Sequence, residues 1–175
     1  LGVRSRLFPD HSAAIEAMRG WADRQARGEA VVWMTLGGCF WFPRTLMGFT
    51  KISLALYDQP ELIHAMNRDL TRFNLDIVDH VARACVPTFV TIAEDMSYNH
   101  GPMISEKHFD EFIAPYYRQL VPRLAELGAV VIVDTDGDVT QLAPWLAREG
   151  IRGVLPLERQ AGVDGMQLRR SFPEL

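Results

Sequence analysis

The sequence has little cysteine, no basic excess and no long hydrophobic run, and each shortage removes a class of function. Cys39 and Cys85 are its two cysteines, and they form neither a CxxC pair nor a metal-ligand spacing. A disulfide scaffold and a cysteine-rich zinc module are thereby excluded, and a reducing cytoplasm is the expected compartment. Lys plus Arg number 18 against 22 Asp plus Glu, for a net charge of −4 and a pI near 5.7. No basic run stands out, so nucleic acid is not an expected partner. The longest uncharged apolar stretch, Ala30 to Phe42, falls short of the roughly 20 residues that span a bilayer. Membrane is therefore not an expected partner either. The segment Leu1 to Asp10 holds two arginines but leads into no apolar core of a signal peptide. Neither GxGxxG nor GxxxxGK[ST] follows the first strand candidate, which weakens the nucleotide-binding versions of an α/β fold.

What is present reads as an ordinary globular domain: 175 residues, 48% hydrophobic and 23% charged. We expect residues 1–175 to be one domain. Because the chain opens on Leu1 and not Met, it reads as a piece of something longer. Four short apolar runs are strand candidates: Ala30–Leu36, Thr88–Ala93, Ala129–Val133 and Gly153–Leu157. None alternates cleanly, which predicts parallel strands covered on both faces. Amphipathic segments lie between them. His11 to Arg27 is the first. Asp58-Gln-Pro-Glu61 opens the second, with Asp58 as N-cap and a stripe of Leu62, Ile63, Met66, Leu70, Phe73, Ile77 and Val81. A third runs from Ser105 to Gly128 and is expected to kink or break at Pro115 or Pro122. A fourth covers about Thr140 to Arg148, and a fifth starts after Asp164. Such alternation predicts either a doubly wound sheet or a (β/α)8 barrel.

In both folds reactive groups gather at the carboxyl ends of the strands. The four candidates run into Gly37-Gly38, Glu94-Asp95, Asp134-Thr-Asp136 and Glu158-Arg159. Glu94, Asp134, Asp136 and Glu158 fall at equivalent heights and should converge on one mouth. Asp138 reads equally as a helix cap, and Asp95 as a support for the loop up to Asn99. Converging carboxylates need a metal, a cation or protons to offset their repulsion. All-oxygen ligands would suit Mg²⁺, Mn²⁺ or Ca²⁺; Asp134 facing inward with Asp136 capping the next helix fits the spacing as well. Arg44 follows the aromatic run Phe40-Trp-Phe-Pro43. It either anchors a ligand carboxylate beside an apolar wall or pairs with Glu94 or Asp95. Of the five histidines only His100 lies in a strand-end loop, as a general base or an ordinary loop residue.

The ordered segments Phe42-Pro-Arg-Thr-Leu-Met-Gly48, Ala55-Leu-Tyr-Asp-Gln-Pro-Glu-Leu-Ile-His64 and Glu94-Asp-Met-Ser-Tyr-Asn-His-Gly-Pro-Met-Ile-Ser105 carry a family resemblance. Phe112-Ile-Ala-Pro-Tyr-Tyr117, Val133-Asp-Thr-Asp-Gly-Asp138 and Leu155-Pro-Leu-Glu-Arg-Gln-Ala-Gly-Val-Asp164 continue it. Together they resemble the uroporphyrinogen decarboxylase superfamily, which also holds cobalamin-dependent methyltransferases. The resemblance implies an α/β fold, a partial (β/α)8 TIM barrel with about four parallel strands from its middle. It also implies an active site at the strand carboxyl ends. Where the methyltransferases place a zinc-binding His-x-Cys, this chain has Asp134-Thr-Asp136, so thiolate has become carboxylate.

Three functions are expected. The first is decarboxylation of a porphyrinogen or related carboxylated small molecule. The second is methyl transfer of the corrinoid-dependent type, assisted by a divalent metal. The third is an inactive piece that folds only as a homo-oligomer through its open sheet edges. Glu94, Asp134 and Glu158 are the catalytic candidates. Arg44, Asp95, Tyr98, Asn99 and Asp136 are substrate-binding candidates, with Tyr98 as a hydrogen-bond donor. A metal would draw on Glu94, Asp134, Asp136 and Glu158.

Overall fold

A computed structural model describes residues 12–175, so His11, the first residue of the expected opening helix, lies outside the described residues. In chain order the elements are α1 (Ser12–Ala26), β1 (Trp33–Gly37), α2 (Trp41–Met47), α3 (Phe49–Asp58) and α4 (Pro60–Ala82). They continue with β2 (Phe89–Ala93), the short pair β3 (Ser97–Tyr98) and β4 (Gly101–Pro102), α5 (Glu106–Phe112) and α6 (Ala114–Glu126). The last are β5 (Val130–Asp134), α7 (Ala143–Arg148), β6 (Gly153–Leu155), a 3₁₀ turn (Arg159–Ala161) and α8 (Gly165–Ser171). The main sheet has the order β1-β2-β5-β6 and every pairing is parallel. Each new strand is added on the same side, with no reversal of order. A doubly wound sheet reverses at its ligand crevice; this sheet does not, and it forms part of a (β/α)8 TIM-barrel-like fold. Among the described residues, no helix is long and apolar enough to cross a membrane.

Strand alternation sorts the apolar residues. Leu36, Val90, Ile92, Val131 and Val133 enter the helix-packed core and are all buried. Their neighbours point the other way, and there the sheet is open: Trp33 is 59% and Val130 43% exposed. Trp33 stacks on Phe89 across that face, ring centroids 5.8 Å apart. Two-faced burial, expected from the apolar runs, therefore holds for one face of the sheet. A run of Val and Ile satisfies either arrangement, so the pattern could not discriminate between them.

Two helices, α2 and α3, occupy a stretch whose first half read as an aromatic rim and whose last residue read as a cap. Asp58 does not cap α4; it ends α3, and Gln59 precedes Pro60 without a side-chain cap. The buried seam of α4 also differs from the apolar stripe. Ile63, Asn67, Leu70, Asn74 and Val78 face inward, while Leu62 and Phe73 are exposed. The two asparagines earn their burial through hydrogen bonds: Asn67 Nδ2 donates to the Phe112 carbonyl (2.8 Å) and Asn74 Nδ2 to that of Gly37 (3.0 Å). These bonds tie α4 to the end of α5 and to the end of β1. The expected break in the third helix falls at Ile113, which separates α5 from α6, with Pro115 in the first turn of α6. Ser105 caps α5 by accepting the His108 N–H, and Asp164 caps α8. The helix expected from Thr140 begins at Ala143.

Candidate functional site

Parallel pairing brings the carboxyl ends of β1, β2, β5 and β6 to one rim of the sheet. At β2 two consecutive acids separate sharply. The N–H groups of Glu94 and Asp95 both donate to the carbonyl of Asp134 (2.9 and 3.1 Å), and Asp95 takes a left-handed backbone, φ +43°. Few non-glycine residues occupy that region, and Asp is among those that do. The turn sends Glu94 inward and Asp95 outward.

The expectation that Glu94 lines the mouth is corrected by its burial. It is 0% exposed, and its oxygens accept the N–H groups of Cys39 (2.9 Å), Phe40 (2.7 Å) and Trp41 (3.4 Å) and the hydroxyl of Tyr117 (2.8 Å). The first N–H groups of a helix have no intrahelical acceptor, and Glu94 supplies one from another element. Burial raises its pKa despite those four donors. Burial and the Glu94 charge hold the Tyr117 phenol well above its ordinary pKa, so it remains a donor. They hold the Cys39 thiol up as well, favouring its protonated form.

The charges of neighbouring strand-end acids act on Asp134 and Asp136. The Asp134 carboxyl is held above the ordinary aspartate range, first by burial and then by the charges of Asp136 and Asp95. Asp136 is raised by burial and by the charges of Asp95 and Glu158. Between the two aspartates Thr135 is turned in and buried. Alternation around it leaves Asp134 and Asp136 on the same side. Asp136 caps no helix; Asp138 Oδ1 instead accepts the Thr140 N–H (2.9 Å) in the turn before α7. Glu158 Oε2 accepts the Gly137 N–H (2.7 Å), joining the β6 end to the β5 end.

Arg44 is a cation at the end of β2, bound to Asp95. Its Nη1 donates to the Asp95 carbonyl (2.7 Å) and to Asp95 Oδ2 (2.8 Å). The guanidinium carbon lies 5.1 Å from the Trp41 ring centre and 5.7 Å from that of Phe49. Among the described residues, its Nε and Nη2 make no hydrogen bond. A planar fork with two N–H directions left open is suited to a carboxylate. Phe49 and Tyr117 were not singled out by sequence reasoning. Phe49 lies on a helix that the sequence did not reveal. Tyr117 had a signal, the Tyr116-Tyr117 pair in one of the family-like segments, but no spacing connects it to Glu94.

Tyr98 and Asn99 lie on the β3–β4 hairpin, whose backbone at Tyr98 packs against Gly137. Tyr98 is exposed and stands edge-on to His100, centroids 5.6 Å apart. Among the described residues, neither side chain hydrogen-bonds to the carboxylates. His100 is exposed at the same turn. The hairpin's backbone reaches the rim, with the Tyr98 carbonyl accepting the Asp138 N–H (2.9 Å).

The expected carboxylate metal centre does not fit this geometry. Among the described residues, no three His, Cys, Asp or Glu side chains are grouped to hold a metal ion. Glu94 spends its oxygens on four donors inside the protein, and Glu158 commits one of its own to Gly137. Residues 7–164 match the family model described as Uroporphyrinogen decarboxylase (URO-D). No curated protein matches the chain.

Proposed function

Because the chain belongs to the uroporphyrinogen decarboxylase family, we propose that its rim decarboxylates a porphyrinogen or a related carboxylated substrate. The observation that supports this reading is a pair of aspartates, Asp134 and Asp136, held above the ordinary carboxylate range by burial and by the charges of other strand ends, with Arg44 bound to one of those neighbours, Asp95. Decarboxylation breaks the bond between the carboxylate carbon and its neighbour. Carbon dioxide leaves without that electron pair, and a proton must be delivered to the carbon that keeps it. Such a step needs a proton donor and an anchor for the substrate's other carboxylates.

Asp134 is the proton donor in this proposal. Burial and two neighbouring charges favour its protonated form. Arg44 orients the substrate by gripping a carboxylate through Nε and Nη2, while Trp41 and Phe49 give its apolar body a wall. Glu158 holds the Gly137 turn and adds the charge that keeps Asp136 up. Asp95 holds Arg44 in place.

Incubation with uroporphyrinogen tests the reading, followed by product mass, which falls by one carbon dioxide per step. Asp134→Asn should slow that loss by about 10²-fold or more. Absence of any loss with the unaltered protein, or an unchanged rate in Asp134→Asn, would contradict it.

A further inference from the structure

Two consecutive acids at the end of β2 bind the same short helix from two sides. Glu94 accepts the N–H groups of Cys39, Phe40 and Trp41 at the start of α2. Asp95 holds the side chain of Arg44 farther along that helix by its carbonyl and its carboxylate. Helix α2 spans only seven residues, and Phe40 gives it no side-chain cap. Gly38 makes the close approach possible: a Cβ there would lie 2.3 Å from Glu94 Cδ. On its other side, Glu94 takes the hydroxyl of Tyr117 from α6.

We infer that Glu94 is a positioning residue, forming with Asp95 a clamp that sets the pose of α2 and aims the open side of Arg44 across the rim. Capping alone does not require a buried carboxylate, since a neutral Ser or Asn on the helix itself would serve without the cost of burying a charge. A carboxylate fixed to β2 does more, because it ties the strand, the start of α2 and α6 through one group. The functional part of the inference rests on the reading of Arg44 as a carboxylate anchor.

Two measurements on the full chain test it. The first is amide hydrogen exchange at residues 39–41. The second is binding of coproporphyrin, a stable tetracarboxylic porphyrin, followed by absorbance. In Glu94→Gln two of the four donors face an amide N–H₂ instead of an acceptor, whichever oxygen is replaced, and the 39–41 amides should exchange about tenfold faster while β2 and β5 keep their protection. Porphyrin affinity should fall about tenfold in Glu94→Gln and at least as far in Arg44→Ala. The double variant should bind no more weakly than Arg44→Ala, because Glu94 acts only through Arg44. Unchanged exchange at 39–41 overturns the clamp, and so do additive losses in the double variant. Faster exchange combined with a porphyrin affinity indifferent to Arg44→Ala supports the clamp and overturns the anchor reading. Should Glu94→Gln not fold, Tyr117→Phe removes one of the four donors at little change in volume. It should speed the same amides about threefold, and unchanged exchange there overturns the clamp equally.

Discussion

The hydroxyl of Thr135 lies 2.8 Å from that of Ser97 and also accepts the N–H groups of Met96 (2.9 Å) and Ser97 (3.1 Å). Ser97 in turn donates to the carbonyl of Asp136 (2.6 Å). This buried knot ties the loop after β2 to the end of β5, and so fixes the spacing between Asp95 and the two aspartates beside Thr135. Thr135→Val keeps the shape but leaves two buried N–H groups without an acceptor. It should cost about 2–4 kcal/mol of stability, whereas Thr135→Ser should cost about 1 kcal/mol. The denaturant midpoint measures both; a Thr135→Val variant within about 0.5 kcal/mol of the parent would contradict the knot's role.

Stability should fall as pH rises above the ordinary aspartate range. Asp134 and Asp136 both have raised pKa values in the folded protein. Between the unfolded value, near 4, and the raised folded values, the native state binds more protons than the unfolded chain. The stabilisation is then fully present below the unfolded value and is lost as pH climbs through the folded ones. Asp134→Asn and Asp136→Asn should each flatten that decline and raise the melting temperature at pH 7. Thermal melts across pH 4 to 8 check this, and an unaltered slope in both variants would count against it.

Gly38→Ala should be among the most damaging single-methyl additions in the chain. Its new Cβ would stand 2.3 Å from Glu94 Cδ and 2.4 Å from the Ala93 carbonyl oxygen. One obstacle is strand backbone and the other is a side chain held by four hydrogen bonds, so neither yields cheaply. We expect a loss of about 3 kcal/mol or more, measured by chemical unfolding. Gly20→Ala is the control, because nothing lies within 4 Å of a Cβ built there.

The sheet offers surfaces for self-association. Its outer strands are β1 and β6, and its open face carries Trp33 and Val130. Unpaired edges and exposed apolar surface invite another copy. We propose a dimer or larger species, seen as mass by sedimentation or light scattering, with Trp33→Lys shifting the population toward monomer. A stable monomer of the parent chain at micromolar concentration would dispose of this proposal.

Much of the architecture was determined by local sequence. The β-branched runs name all four main strands to within three residues at either end. Ser105 and Asp164 cap helices because their side chains reach N–H groups three or fewer residues away. Gly128 and Gly150, both at positive φ, end the helical segments that precede β5 and β6. The common side of the strand ends was legible too, since parallel strands must deliver their carboxyl ends to one side. What only the tertiary structure decided was which acid faces which environment. Glu94 and Asp95 are neighbours in sequence, yet one left-handed residue sends the first into the core and the second to Arg44. The donors that receive Glu94 come from residues 39–41 and 117, distant in sequence and brought together only by packing. The burial that raises Asp134 and Asp136 also comes from the folded surroundings, and the charges on them come partly from other strand ends. Residue type and spacing encode a carboxylate's place along the chain; solvation and distant partners determine its charge and its use.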